Sequence, residues 1–166
     1  MNKLPLLMTA SISTRGMNGA CFTNQERERM YMGALQYYSS VLPKKDGFKI
    51  VFAENSGWDL TSIKNILRKT ENADIEFISL SPACFDISKG KGYNELLLIN
   101  HAIELSTCIR NSIGFMKVTG RYPIYNIRYF LDQACNFILE GGGFIHRPER
   151  PSSLRALRTE LVRSFR

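Results

Sequence analysis

The chain is 166 residues long, 44% hydrophobic and 22% charged, which places it in the globular range with length for one domain and a sizeable core. No apolar run approaches the roughly 18 residues needed to span a bilayer, so the sequence reads as a soluble chain. Its net charge of +7 does not by itself define a nucleic-acid binder, because six arginines against two glutamates fall between Arg147 and Arg166. The modest surplus left for the rest suits a cytoplasmic enzyme with an anionic substrate.

Leu4 to Ala10 is an apolar run between turn-forming residues, expected to be a first strand buried on both faces rather than a signal peptide. No small-residue cleavage pattern follows it in Ser11 to Asn18. Thr23 and Glu26 have the spacing of a capping box, and Met30, Ala34, Tyr37, Tyr38 and Val41 then repeat at helical intervals up to Pro43 and Gly47. Phe48 to Ala53 is a second strand, turned at its C-terminal end by Glu54-Asn55-Ser56-Gly57. Asp59 is placed to cap a short helix running through Lys69, and Ile75 to Leu80 is a third strand closed by Ser81-Pro82. A helix from about Tyr93 to Ser106 is expected to bury Leu96, Leu97, Ile99 and Ile103, and Ile113 to Val118 is a fourth strand.

Pro123 fits the first turn of a last helix, in which Ile124, Ile127, Leu131, Ala134 and Ile138 keep helical spacing until Gly141-Gly142-Gly143. This alternation of strands and helices predicts a mostly parallel sheet with helices on both faces. Residues 1–143 form this α/β domain and residues 144–166 a basic, arginine-rich tail. In the tail, Leu154, Leu157 and Leu161 are spaced for one amphipathic docking helix; the abrupt change after about Gly143 reads instead as truncation or a shift of frame. Cys21, Cys84, Cys108 and Cys135 are scattered without a C-x-x-C pair, as expected of mostly buried, reduced thiols in a cytoplasmic protein.

In an open parallel sheet, ligands bind beyond the carboxyl ends of the strands, which singles out the loops Thr9 to Arg15, Glu54 to Asp59, Ser81 to Glu95 and Thr119 to Tyr122. Phe115-Met116-Lys117-Val118-Thr119-Gly120-Arg121-Tyr122 runs from an apolar strand end into a lysine, a glycine and an arginine, the pattern of an anion-binding junction. A second glycine-and-lysine turn, Ser88-Lys89-Gly90-Lys91-Gly92-Tyr93-Asn94-Glu95, opens a helix. Glu54, Asn55 and Ser56 carry groups that hydrogen-bond a base or ribose, while Lys89, Lys91, Lys117 and Arg121 carry charge to neutralise a diphosphate.

Plainer readings stand beside these. Gly90 and Gly92 are read as turn geometry, Lys89 and Lys91 as solvated, Arg121 as a partner of Asp86 or Glu95, and Trp58 as a cover for the sheet edge. His101 and His146 belong to no metal-ligand pattern, and neither a Gly-x-Ser-x-Gly elbow, a phosphate loop nor an H-E-x-x-H helix is present.

The order of Thr9-Ala10-Ser11-Ile12, Glu54-Asn55-Ser56-Gly57, Gly90-Lys91-Gly92-Tyr93-Asn94-Glu95 and Lys117-Val118-Thr119-Gly120-Arg121-Tyr122 resembles bacterial glycosyltransferases of surface-polysaccharide synthesis, the capsule, O-antigen and lipopolysaccharide enzymes of GT-A type. The resemblance covers about residues 4 to 140. It implies a Rossmann-like nucleotide-diphospho-sugar transferase fold and transfer of a sugar from a nucleotide diphosphate donor to an oligosaccharide or lipid-linked acceptor. The implied location is the cytoplasm, extending to peripheral association with the inner face of the membrane, with no nucleic acid as partner.

Carried onto matching positions, the resemblance puts Thr9 and Ser11 near the nucleotide, Glu54 and Asn55 near its base or ribose, and Lys91 near the phosphates. Glu95, Thr119, Gly120 and Arg121 would line the donor pocket, with Glu95 the candidate catalytic base. Many enzymes of this type hold a divalent metal on an Asp-x-Asp after the fourth strand. Here Thr119-Gly120-Arg121 stands in that place and no Asp-x-Asp occurs in the chain. Donor binding is therefore expected to need no metal cofactor, with Lys91, Lys117 and Arg121 stabilising the leaving diphosphate. Because acceptor-binding elements generally follow the donor half in such enzymes, the chain is expected to represent the donor-binding half. A nucleotide-binding module without chemistry is the alternative, and a nucleic-acid binder using the tail arginines a third reading.

Overall fold

The computed structural model describes residues 3–14, 21–69, 72–139 and 160–162. Four strands, β1 (Leu6–Ala10), β2 (Lys49–Glu54), β3 (Asp74–Ser79) and β4 (Phe115–Thr119), run parallel in the order β3-β2-β1-β4. Between and after them come helices α1 (Asn24–Val41), α2 (Thr61–Arg68), α3 (Gly90–Leu105), α4 (Thr107–Arg110) and α5 (Ile127–Leu139). A short strand, β5 (Glu160–Val162), pairs antiparallel with the outer edge of β4.

The period-two alternation of strand side chains sorts them into two cores. Leu6, Met8, Ala10, Ile50, Phe52, Met116 and Val118 pack beneath α1, α2 and α5. Leu7, Val51, Ala53, Ile78 and Phe115 face the other way, onto α3 and α4. Strands buried on both faces need apolar residues at every position, which is why β1 and β2 read as unbroken apolar runs. The expected parallel sheet with helices on both faces is observed. The chain moves outward from β1 through β2 to β3, then crosses by α3 to the far side of β1, so β1 and β4 flank the topological switch point.

The capping box of α1 forms as the spacing predicts: Glu26 N–H donates to Thr23 Oγ1 at 3.2 Å and Thr23 N–H to Glu26 Oε2 at 2.8 Å. Its buried stripe is Tyr31, Ala34, Leu35 and Tyr38, while Met30, Tyr37 and Val41 are half-buried. Asp59 Oδ1 accepts the Thr61 N–H at 2.9 Å, so it closes the start of α2 from one residue before the Leu60 cap position.

Other expectations need correction. Helix α3 starts at Gly90, three residues early, and its buried face is Asn94, Leu98, Ile99 and Ala102; Leu96 is 58% exposed. Leu97 and Ile103 are half-buried against the second core. Strand β4 begins at Phe115 and leaves Ile113 exposed. Pro123 stands just before a turn, Ile124 to Ile127, closed by the Ile127 N–H to Ile124 carbonyl bond, so the proline lies outside the first turn of α5. Cys21 and Cys84 are exposed, Cys108 is half-buried and Cys135 buried, against the expectation of mostly buried thiols.

Leu161 falls in β5 rather than in an amphipathic helix. The Ser11 to Asn18 turn beyond residue 14, the side chain of Ile138, Gly141 to Gly143, and Leu154 and Leu157 lie outside the described residues. No helix among the described residues is long and apolar enough to cross a membrane.

Glu76 shows how the second face is tied down. Its β3 position points it at the start of α4, where its carboxylate accepts from Ser106 Oγ at 2.5 Å, Thr107 N–H at 3.0 Å and Cys108 N–H at 3.2 Å. Burial works against the charged form, but these donors outweigh it and hold the carboxyl down to about 2. A depressed folded-state value contributes stability that is present above the ordinary glutamate range and lost as pH falls toward 2. Glu76 is partly solvated, so screening discounts the contribution to about 1–2 kcal/mol. Urea titrations between pH 6 and pH 3 are expected to show Glu76→Gln closing that gap to the parent chain as the pH falls; a gap unchanged by pH contradicts the assignment.

Candidate functional site

A crevice of about 370 Å³ opens at the carboxyl ends of β1 and β4, within the size range of small-ligand pockets. Three elements after strand ends build it: the segment from Thr9 to Thr14, the N-terminal part of α3 from Lys91 to Leu98, and the Thr119-Gly120-Arg121 turn. Helix α1 closes one wall with Arg27 and Tyr31.

Of the residues singled out by sequence, the crevice gathers Thr9, Ser11, Asn55, Lys91, Glu95, Thr119 and Arg121. Ser11 Oγ donates to Asn55 Oδ1 at 2.5 Å, tying the first loop to the second. Thr9 and Thr119 are register partners on neighbouring strands, so their side chains lie on the same face, toward α3. Gly120 does not line the crevice; its role is close approach. A Cβ there would sit 3.2 Å from Met8 Cε and Tyr31 Cδ1 and 3.3 Å from the Thr9 carbonyl oxygen, so a side chain would need these neighbours to give by a few tenths of an ångström.

Lys117 and Glu54 differ from expectation. Lys117 is 2% exposed and lies beneath the crevice, where its Nζ meets Glu95 Oε1 at 2.7 Å. The same oxygen accepts from Thr9 Oγ1 at 3.0 Å. Lys117 is thus committed to Glu95, whose side chain is 40% exposed at the crevice edge, and does not reach a ligand itself. Glu54 is fully buried and faces away. Its Oε1 accepts from the Ile12 N–H at 3.1 Å, the Ser56 N–H at 2.9 Å and the Ser56 hydroxyl, and its Oε2 from the Trp58 N–H at 3.3 Å. A carboxylate so engaged holds the loops after β1 and β2 together and leaves no oxygen for a base or ribose.

Sequence reasoning missed Arg27, Tyr31 and Asn94. Arg27 Nε donates to the carbonyls of Ser11 at 2.9 Å and Ile12 at 3.1 Å, and its Nη2 also reaches Ser11. Tyr31 Oη accepts the Ser11 N–H at 3.1 Å. Burial pushes the Arg27 guanidinium below its ordinary value, Tyr31 opposes that, and the neighbouring Arg121 charge adds to it. Burial likewise raises the Tyr31 phenol. The helical spacing of Arg27 and Tyr31 on one face of α1 was the available signal, but Gln25-Glu26-Arg27-Glu28-Arg29 reads as a solvated stretch.

Electrostatically, the crevice is cationic. Neither Arg27 nor Arg121 is ion-paired with a carboxylate among the described residues, and Glu95, the one acidic side chain among those lining the crevice, is balanced by Lys117. The alternative pairing of Arg121 with Asp86 or Glu95 is not formed. Helix α3 presents its N-terminus here without a side-chain cap, whereas α1 is closed by Thr23 and Glu26. The Gly90 N–H is met by the Ile87 carbonyl of the preceding 3-10 turn, whose start Asp86 caps, and the helix dipole leaves the partial positive end of α3 beside Lys91. Gly90 has φ +83°, a conformation that only glycine adopts without strain, so the turn reading holds for it.

His101 lies 3.9 Å from Glu104 and away from the crevice lining, and no group of three or more His, Cys, Asp or Glu side chains arranged for a metal ion occurs among the described residues. Comparison with family models, with curated proteins and with solved structures gives no match to this chain. The class that fold and site define is an α/β chain with a cationic crevice at its topological switch point.

Proposed function

We propose that the chain is the donor-binding unit of a GT-A type glycosyltransferase of surface-polysaccharide synthesis, and that the crevice takes a nucleoside diphosphate sugar without a metal ion. The observation that carries this reading is the convergence of Arg27 and Arg121, two guanidiniums without carboxylate partners among the described residues, on a crevice at the switch point of a parallel sheet. Planar guanidiniums suit phosphate oxygens, and the start of α3 adds partial positive charge beside Lys91. Ser11 and Asn55 supply neutral hydrogen-bonding groups for the nucleoside. The motif order from Thr9 to Tyr122 supplies the sugar-transfer part of the reading.

In the proposed reaction an acceptor hydroxyl oxygen attacks the anomeric carbon, the bond from that carbon to the phosphate oxygen breaks, and the diphosphate leaves with the electron pair. The crevice cations stabilise the charge that develops on it. Glu95 is the carboxylate available to take the hydroxyl proton; Lys117 and Thr9 hold its Oε1, which leaves Oε2 for that transfer. Uridine or guanosine diphosphate at tenfold over its Kd is expected to raise the melting temperature by about 3–6 °C. Arg121→Ala should abolish the rise. No rise with any nucleoside diphosphate would refute the reading.

A further inference from the structure

Two polar atoms at the crevice are buried without a hydrogen-bond partner among the described residues: Oδ1 of Asn94 and Nε of Arg121. Asn94 is 3% exposed, yet it lines the crevice from the start of the second turn of α3. Its amide orientation is not ambiguous, because Nδ2 donates to the Asp86 carbonyl at 2.7 Å and to the Gly90 carbonyl at 3.0 Å. A flipped amide would set oxygen against both carbonyls, so Oδ1 is the atom left without a donor. Arg121 Nε is the opposite case, a donor without an acceptor. Buried polar groups in native proteins are almost always satisfied, and an unmatched pair of opposite polarity in one crevice calls for a ligand with both characters.

We infer that Asn94 is a specificity-determining residue whose Oδ1 accepts a hydrogen bond from one hydroxyl of the bound donor, while Arg121 Nε–H donates to a phosphate oxygen. The ligand chemistry this selects is a phosphate ester of a polyol. The inference rests on the nucleoside diphosphate sugar reading and deepens it: Arg121 recognises the anion, and Asn94 recognises a hydroxyl carried either by the ribose or by the transferred sugar. A site built to accept from a hydroxyl rejects the analogue that lacks it, because the buried oxygen is then left unpaired.

The test is isothermal titration of the full chain with uridine and guanosine diphosphates, their hexose esters, the 2′- and 3′-deoxyribose forms, and esters deoxygenated at single hexose positions. One deoxygenation is expected to weaken binding by about tenfold or more, and its position tells ribose from hexose. In Asn94→Ala, checked for folding by circular dichroism, that same deoxygenation should change affinity less than twofold. If the parent esters bind and every deoxy analogue binds within twofold of them, the Asn94 inference is overturned while the donor reading stands. If no diphosphate or ester binds at all, the donor reading fails and takes this inference with it. Should Asn94→Ala not fold, the analogue series on the parent chain decides the question alone.

Discussion

Glu54→Ala is expected to lower the stability of the chain by about 4 kcal/mol, by releasing the loops that follow β1 and β2. Its carboxylate is the acceptor for the backbone N–H groups of Ile12, Ser56 and Trp58 and for the Ser56 hydroxyl. Each buried donor left unmet costs about 1–3 kcal/mol, and water entering the vacated space recovers part of the total. Glu54→Gln separates the contributions, because an amide oxygen in the place of Oε1 keeps three of these donors satisfied while its NH2 opposes the Trp58 N–H. That variant should lose only about 1–2 kcal/mol. Urea unfolding of the three proteins checks the order; equal losses for alanine and glutamine would mean that packing rather than hydrogen bonding sets the cost. The residue that resemblance placed at the base or ribose instead positions the loops that carry Ser11 and Asn55.

Glu95→Ala is expected to cost about 3 kcal/mol by a different route. Lys117 reaches the sheet face toward α3 because it alternates with Met116 and Val118, and at 2% exposure its ammonium meets a single carboxylate, Glu95. Removing that carboxylate strands a buried positive charge and unpairs the Thr9 hydroxyl. The double variant Glu95→Leu with Lys117→Met removes both charges and should recover most of the loss, since replacing a buried pair by apolar groups is often neutral. Chemical denaturation at neutral pH reads both. A double variant no more stable than Glu95→Ala would show that the ion pair is not the source.

How far the sequence revealed this arrangement depended on how redundant each local signal is. Strands β1 and β2 were legible because burial on both faces demands apolar residues throughout, and α1 because Thr23 and Glu26 satisfy each other across a fixed spacing. The phase of α3 was not legible. Leu96, Leu97, Leu98 and Ile99 offer apolar side chains on every side of a helix, and only contact with Leu7, Val51 and Phe115 decides that Leu98 turns inward and Leu96 outward. Pro123 carries a signal for a helix start and for a turn alike, and in the structure a turn beginning at Ile124 separates it from α5.

At the crevice, the chain order of the loops located Thr9, Ser11, Asn55, Lys91, Glu95, Thr119 and Arg121, because strand ends in a parallel sheet must converge there. Direction was the missing information. Lys117 and Glu54 lie in or beside the same motifs, yet the alternation of the strand turns Lys117 under α3 and the Ile12, Ser56 and Trp58 N–H groups hold Glu54 away. Arg27 arrives from a helix whose exposed neighbours conceal it.

The central claim, that this crevice binds a nucleoside diphosphate, is tested most directly by backbone amide chemical shifts of the full chain recorded during titration with uridine and guanosine diphosphates, in the presence of a chelator. Saturable shifts concentrated at Thr9 to Thr14, Lys91 to Glu95 and Thr119 to Arg121, and lost in Arg121→Ala, are the expected result. Absence of saturable shifts with either nucleotide, or shifts confined to other surfaces, would contradict it.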